Sequence, residues 1–314
     1  MSHPGSINPI GQPFTILSSV DSTNNYAMAR VQAGLARHGE AWFTLEQTAG
    51  KGQRNKQWIT SAGENILLSV VLQPFRLTAS QQFLLSASMA LACYDFYKNY
   101  AGDETRIKWP NDLYWRDRKA GGILIENNFH GASWAYAVVG IGININQGRF
   151  DPSLPNPVSL KQITGRHFDV PQLAKELCKS LEKRFRQLQD GAEETILEDY
   201  KAVMYKRGSK VRFRKNGKEF VAQVDGLAPS GHLLAGGERY DLSEVEWVLS
   251  WRNNSGLSSS SQSKYPAQVK PESDIPLPEI VGRVCDKFLL IHTCTITEVQ
   301  LEYVTAGFDI KTYR

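Results

Sequence analysis

Lys108-Trp109-Pro110-Asn111-Asp112, followed closely by Lys119-Ala120-Gly121-Gly122-Ile123-Leu124-Ile125-Glu126, is the stretch that organises this chain. Pro110 stops a helix and pushes Trp109 towards extended backbone. Asn111-Asp112 carries turn chemistry, and Arg116-Asp117-Arg118 makes a second polar turn. Leu113-Tyr114-Trp115 and Ile123-Leu124-Ile125 have strand composition. Together they form a hairpin with Lys108, Asp112 and Lys119 near its ends. An ordinary surface hairpin with solvated charges would look similar. However, Gly121-Gly122 removes side chains directly after Lys119, as happens where a ligand meets backbone. Trp109 adds an apolar wall beside Lys108.

Working outward, a second glycine-rich stretch lies upstream, Glu46-Gln47-Thr48-Ala49-Gly50-Lys51-Gly52-Gln53-Arg54-Asn55-Lys56-Gln57-Trp58. It is neither a Walker A loop nor a dinucleotide fingerprint, because no G-K-[ST] closes it and no G-x-G-x-x-G opens a helix. A mobile surface loop has this composition. So does a cationic loop that folds over a phosphate-bearing ligand. Downstream, residues 134–146 read as a strand on which Gly140, Gly142 and Asn144 share one side. A buried central strand would satisfy that pattern, as would the bare floor of a site for a flat ligand.

The chain has 314 residues and a net charge of +4. That length suits one large and one small domain. No dense basic run argues for nucleic acid. No apolar run approaches the roughly 18 residues of a membrane span, and the N-terminus lacks a signal-peptide pattern. Cys93, Cys178, Cys285 and Cys294 are far apart, which fits reduced cytoplasmic thiols and argues against zinc.

In chain order, residues 1–12 read as a loose arm and 14–17 as a strand. Asp21 or Ser22 caps a helix running to about Gly34. Residues 41–45 and 64–72 are strands, and Thr78 caps a core-packed helix through Tyr97. Helices are expected at 159–163, 170–188 and 193–204. A hairpin turning at Asn216-Gly217 opens a set of short strands ending at Val248, consistent with a small β-barrel. Residues 252–275 are linker-like, and strands are expected near 280, 290 and 300.

The KWPND and KAGGILIE motifs resemble the signature of biotin protein ligases, and the similarity extends over about residues 14 to 250. It implies an α+β fold, with a mixed, largely antiparallel sheet packed by helices (class II synthetase-like) and a small C-terminal Src-homology-3-like β-barrel. The implied organisation is a catalytic domain over 1–205, a barrel over 206–250, a linker over 251–275 and a tail over 276–314 whose role the family does not predict. It implies ATP-dependent formation of biotinyl-5′-AMP, then transfer of biotin to a lysine of a biotin carboxyl carrier protein or carboxylase biotinyl domain. By resemblance, Lys119, Asp112 and Arg54 are catalytic. Ser22, Thr23, Asn24, Gln47, Gly50, Lys51, Lys119, Gly121, Gly140 and Gly142 line the biotin site. Lys51, Gln53, Arg54, Trp58, Lys108, Asn111 and Asn144 contact ATP. Asp112 and Asn144 hold Mg²⁺, and Trp134 fits an aromatic near adenine. Asp112 is also the nearby carboxylate available as a base for the incoming amine.

The basic loop departs from the family's G-R-G-R pattern. Lys51 keeps charge but loses the bidentate fork, and Gln53 loses charge. A lipoate–protein ligase lacks support, since its R-R-x-S-G-G-G and H-D motifs are absent. Only about a dozen residues precede the first strand, too few for a winged helix-turn-helix. A non-catalytic biotin-binding protein is the remaining alternative. The oligomeric state stays open, with a homodimer through a sheet edge among the options.

Overall fold

The computed structural model describes residues 8–131 and 133–249. The linker at 252–275, the tail strands and the start of the N-terminal arm lie outside the described residues.

Seven strands form the main sheet: β1 (Phe14–Val20), β2 (Ala41–Gln47), β3 (Asn65–Leu72), β4 (Thr105–Lys108), β5 (Asp112–Trp115), β6 (Arg118–His130) and β7 (Ser133–Asn144). Their order is β1-β2-β3-β7-β6-β5-β4, with β1 parallel to β2 and every other pair antiparallel. The expected mixed, largely antiparallel sheet is what forms. The β4–β5–β6 meander is the hairpin of the opening motif, with β6 running much further than its apolar run suggests.

Alternation sorts β3 and β7 cleanly. Ile66, Leu68, Val70, Val139, Ile141 and Ile143 enter the main core, beneath α2 (Gln82–Ala101) and α4 (Val170–Gln189). α2 starts behind a one-turn 3₁₀ segment (Ala79–Gln81) whose Thr78–Gln81 capping box ties the entry, and Asp169 caps α4 by accepting from Gln172 N at 3.0 Å. α5 (Glu193–Ala202) joins them through Arg184, which bonds both Asp95 and Asp199 at 2.6 Å. The other face carries α1 (Thr23–Gln32) over a small core of Ala27, Val31, Trp42, Val71 and Val138. Beyond that core the face carries Leu67 and Leu124 among small and polar residues. Cys93 and Cys178 are free and buried.

A second sheet holds β8 (Lys210–Lys215), β9 (Lys218–Leu227), β10 (Leu233–Ala235), β11 (Glu238–Tyr240) and β12 (Glu246–Val248), antiparallel in the order β11-β10-β9-β8-β12. Asn216 (φ 51°) and Gly217 (φ 77°) make the expected hairpin turn, with left-handed backbone at both central positions. The opening motif is pinned from two sides. Trp109 Nε1 donates to Gly231 O at 2.9 Å, and the buried Tyr200 hydroxyl donates to Pro110 O at 2.8 Å.

Tyr200→Phe leaves the Pro110 carbonyl without that donor. The expected cost is about 1–3 kcal/mol. It reads as a lower urea midpoint at unchanged slope, and an unchanged midpoint would show that the bond does not hold the turn.

Candidate active site

The part of the α1 face that α1 leaves uncovered is the floor of a cleft of about 540 Å³, within the roughly 300–1,000 Å³ usual for small-molecule sites. The strand registers lay its residues out in rows. Lys108, Asp112, Gly122, Gly142 and Leu67 form one row across β4, β5, β6, β7 and β3. Leu124, Gly140 and Ser69 form the next, and Glu126, Val138 and Val71 the one after.

The first row is the charged end. Asp112 Oδ1 meets Lys119 Nζ at 2.7 Å, and its Oδ2 meets Lys108 Nζ at 3.5 Å. Burial alone would raise the Asp112 carboxyl, but the Lys119 and Lys108 ammonium groups outweigh it and hold it below the usual range. Burial, reinforced by Lys119, lowers Lys108 despite its bond to Asp112. Lys108 Nζ also sits 5.5 Å from the Tyr114 ring and 5.6 Å from the Trp247 ring.

Lys119 reaches this row because of a β-bulge. The β5–β6 register shifts between Leu113 and Tyr114, so that Tyr114 faces Lys119 while Asp112 faces Gly122. Strict alternation would put Lys119 with Gly121, on the opposite face from Gly122. The extra residue, Ala120, turns Lys119 onto the Asp112 face. Its main chain is clamped by the 156–158 segment, through Lys119 N to Asn156 O at 3.0 Å and Val158 N to Lys119 O at 2.9 Å.

The second row is an uncharged seat. Thr23 N donates to Gln47 Oε1 at 2.8 Å, and Thr23 Oγ1 lies 3.1 Å from the same oxygen. Ser69 Oγ lies 2.7 Å from Thr23 Oγ1 and 2.6 Å from Asn24 Oδ1. Asn24 Nδ2 donates to Glu126 Oε2 at 2.9 Å and to Leu124 O at 3.3 Å. Ser22 is buried before α1 without making a capping bond. Glycine is required on the floor here. A Cβ at Gly140 would overlap the Asn24 amide, and one at Gly142 would overlap the Trp58 indole.

The basic loop closes on itself over this floor. Trp58 N bonds Gly50 O at 2.9 Å, Lys51 bridges Gln57, and Gly52 N bonds Lys56 O at 2.7 Å. Lys51 Nζ reaches Glu126 Oε1 at 3.2 Å, and Lys119 Nζ lies 5.7 Å over the Trp58 ring. Arg54, in left-handed backbone at φ 54°, faces the second sheet. Its guanidinium meets Glu246 at 3.3 Å and donates to Leu242 O.

The structure thus brings Ser22, Thr23, Asn24, Gln47, Lys51, Gln53, Arg54, Trp58, Lys108, Asn111, Asp112, Lys119, Gly140, Gly142 and Asn144 to one cleft. Three assignments differ. Gly121 packs against Ile143 on the core side, and Gly122 takes the cleft position, for the bulge reason above. Gly50 is buried in the loop closure, where a Cβ would collide with Trp58 O. Trp134 stacks on Phe129 across the β6–β7 hairpin, six residues or about 20 Å up the strand from Gly140. Ser69, Glu126, Tyr114, Leu242 and Trp247 were not anticipated. Alternation along residues 65–72 would have put Ser69 beside Leu67 on one face, but nothing local names its partners.

Asp112 does not fit as a cation ligand, because both of its oxygens are held by ammonium groups, whereas Asn144 Nδ2 donates to Lys119 O at 3.4 Å and Val158 O at 3.1 Å and leaves Oδ1 as the atom a cation would use. Among the described residues no three His, Cys, Asp or Glu side chains cluster as metal ligands.

The Biotin/lipoate A/B protein ligase family matches residues 16–144. The biotin–[acetyl-CoA-carboxylase] ligase of Paracoccus denitrificans is 32% identical over 231 residues, 71% of this chain and 93% of that protein. The bifunctional ligase/repressor BirA of Escherichia coli is 32% identical over 175 residues, 54% of this chain and 53% of that protein. The chain therefore spans about half the length of the bifunctional relatives it matches. A solved biotin protein ligase from Aquifex aeolicus, in complex with biotin and ATP, shares the fold at a TM-score of 0.60 and 22% identity, covering 75% of this chain and 95% of that one. Sequence and fold define a domain of the biotin/lipoate-ligase type. The chain belongs to the biotin protein ligase family.

The Asp112 carboxyl is lowered on folding, so its stabilisation is present above the unfolded value of 3.8 and is lost as pH falls through the lower folded value. Asp112→Asn is expected to melt below the parent at pH 7, with the gap narrowing as pH falls below 3.8. Paired thermal melts check this, and a gap independent of pH would contradict it.

Proposed function

We propose that this chain is an ATP-dependent biotin protein ligase that makes biotinyl-5′-AMP and passes the biotinyl group to a lysine of a carrier domain. The observation that carries this is a glycine-floored cleft, uncharged at one end and with two lysines sharing one carboxylate at the other. The two ends are adjacent rows, two residues or about 7 Å apart along the strand. A neutral ureido ring fits the Thr23–Ser69–Gln47 seat, which offers both donors and acceptors. Its carboxylate then lies towards Lys119.

In the first half-reaction a carboxylate oxygen attacks the α-phosphorus of ATP, and the bond to pyrophosphate breaks. Two anions must approach, and Lys119 and Lys108 are fixed cations that offset the repulsion. A magnesium ion carried on the triphosphate adds neutralisation when bound. In the second half-reaction a lysine amine attacks the acyl carbon and AMP leaves, with Lys119 opposite the oxygen that gains charge. Asp112 is doubly bonded and held ionised, so it serves as the counter-ion that aims Lys119 rather than as the base. The amine's proton leaves by another acceptor. Arg54 contacts phosphate only by sharing or leaving Glu246.

The division at 205/206 separates a catalytic part from a small barrel of Src-homology-3 type. Its support is five short antiparallel strands with a register shift between Leu234 and Ala235. A homodimer through a sheet edge would use β1, because residues 203–205 cover the β4 edge.

ATP–pyrophosphate exchange with biotin, lipoate or octanoate tests the activity. Exchange is expected with biotin alone, and Lys119→Ala is expected to lower it by about 10²–10³. Exchange with lipoate instead would move the chain to lipoate chemistry, and none with any acid would overturn the ligase reading.

A further inference from the structure

Glu126 closes the opening motif, and neither half-reaction above gives it a task. It stands between the basic loop and the seat. Its Oε1 takes Lys51 Nζ from the basic loop at 3.2 Å, and its Oε2 takes Asn24 Nδ2 from the seat at 2.9 Å. Asn24, Ser69 and Thr23 beyond it are buried.

The hydrogens in this chain have only one consistent direction. A carboxylate paired with lysine accepts, and so does the Leu124 carbonyl. Asn24 must therefore turn its amino group to both, which uses both of its hydrogens. Its Oδ1 is then left facing Ser69 Oγ at 2.6 Å. That oxygen can only accept, so the single hydroxyl hydrogen of Ser69 is committed to it. Ser69 Oγ and Thr23 Oγ1, 2.7 Å apart, still need one hydrogen between them. Only Thr23 can supply it. Gln47 Oε1 also lies 3.1 Å from Thr23 Oγ1, but it already has the Thr23 backbone N–H at 2.8 Å as its donor, so the hydroxyl hydrogen goes to the closer Ser69 Oγ. Thr23 Oγ1 is thereby left facing the cleft with a lone pair alone.

We propose that Glu126, together with the Leu124 carbonyl, is a positioning residue that sets the direction of the Asn24–Ser69–Thr23 hydrogen bonds, so that Thr23 Oγ1 accepts from a ring N–H of the ligand. The inference rests on the biotin reading above and deepens it. Asn24 becomes a fully engaged relay rather than a contact, and the Ser22 hydroxyl, free of capping, remains a donor for the ureido carbonyl. Lys51 extends the same carboxylate to the loop, so closure of the loop and order in the seat share one group.

Glu126→Gln keeps the shape but can present either an amino group or an oxygen to Asn24, which leaves the direction to the longer Leu124 bond alone. Biotin binding to the full chain without ATP, measured calorimetrically, is the readout. Glu126→Gln is expected to bind biotin about tenfold more weakly, the scale of one misdirected buried hydrogen bond. Because this variant also weakens the Lys51–Glu126 pair, the KM for ATP is read on Ser69→Ala, which leaves that pair intact and is expected to keep the parent's value. Ser69→Ala breaks the next bond without touching Glu126, and a similar loss is expected. Because the two act through Asn24, the double variant is expected to lose little more than either alone. Parent-like binding by Glu126→Gln or by Ser69→Ala overturns the proposal, and so do additive losses. If Glu126→Gln does not fold, Ser69→Ala alone decides. If the parent chain binds no biotin, the ligase reading itself fails, a result distinct from a parent that binds and variants that match it.

Discussion

Asp112 lies between two lysines, and much of the cleft follows from that contact. Lys108 and Lys119 point into one partly buried space, which would be costly without a shared counter-charge. The carboxylate supplies it and in return stays ionised. Both lysines are then fixed in direction as well as charge, the preorganisation a site needs to receive anions. The bulge at Ala120 makes this possible, since a regular β5–β6 ladder would send Lys119 into the apolar core beneath α2.

The second constraint is bareness. Gly122, Gly140 and Gly142 lie on the cleft side of β6 and β7, with Asn24 over one and Trp58 over another. Any side chain at Gly140 or Gly142 would displace the group above it. The cleft is therefore an absence built into a continuous sheet, while the neighbouring face carries the ordinary packing of Ile66, Leu68, Val139 and Ile141. The second sheet supplies a wall with Leu242, Glu246 and Trp247, and the Arg54–Glu246 pair ties the basic loop to it.

Most of this was legible in sequence where the cause is local. Proline, Asn-Asp and Asn-Gly turns marked the hairpins, period-two alternation marked Gly140 and Gly142, and the KWPND and KAGGILIE motifs named the family. What stayed hidden depends on register. A one-residue bulge decides between Gly121 and Gly122, and no composition reveals it. Trp134 was misplaced because distance along a long strand is invisible without its start point. Ser69 lies in an otherwise apolar run, and only the neighbouring β7 and α1 explain why a hydroxyl is there. Asp112 looked like a metal ligand or base until both of its oxygens were seen to be occupied.

A crystal structure with biotinyl-5′-adenylate bound would test the centre of this account most directly. The account predicts the ureido ring at Thr23 and Ser69, with Lys119 Nζ within about 3 Å of an oxygen of the acyl-phosphate link while it still contacts Asp112. An adenylate bound in the reverse sense, or one that leaves Lys119 on Asp112 alone and out of reach of the acyl phosphate, would contradict it.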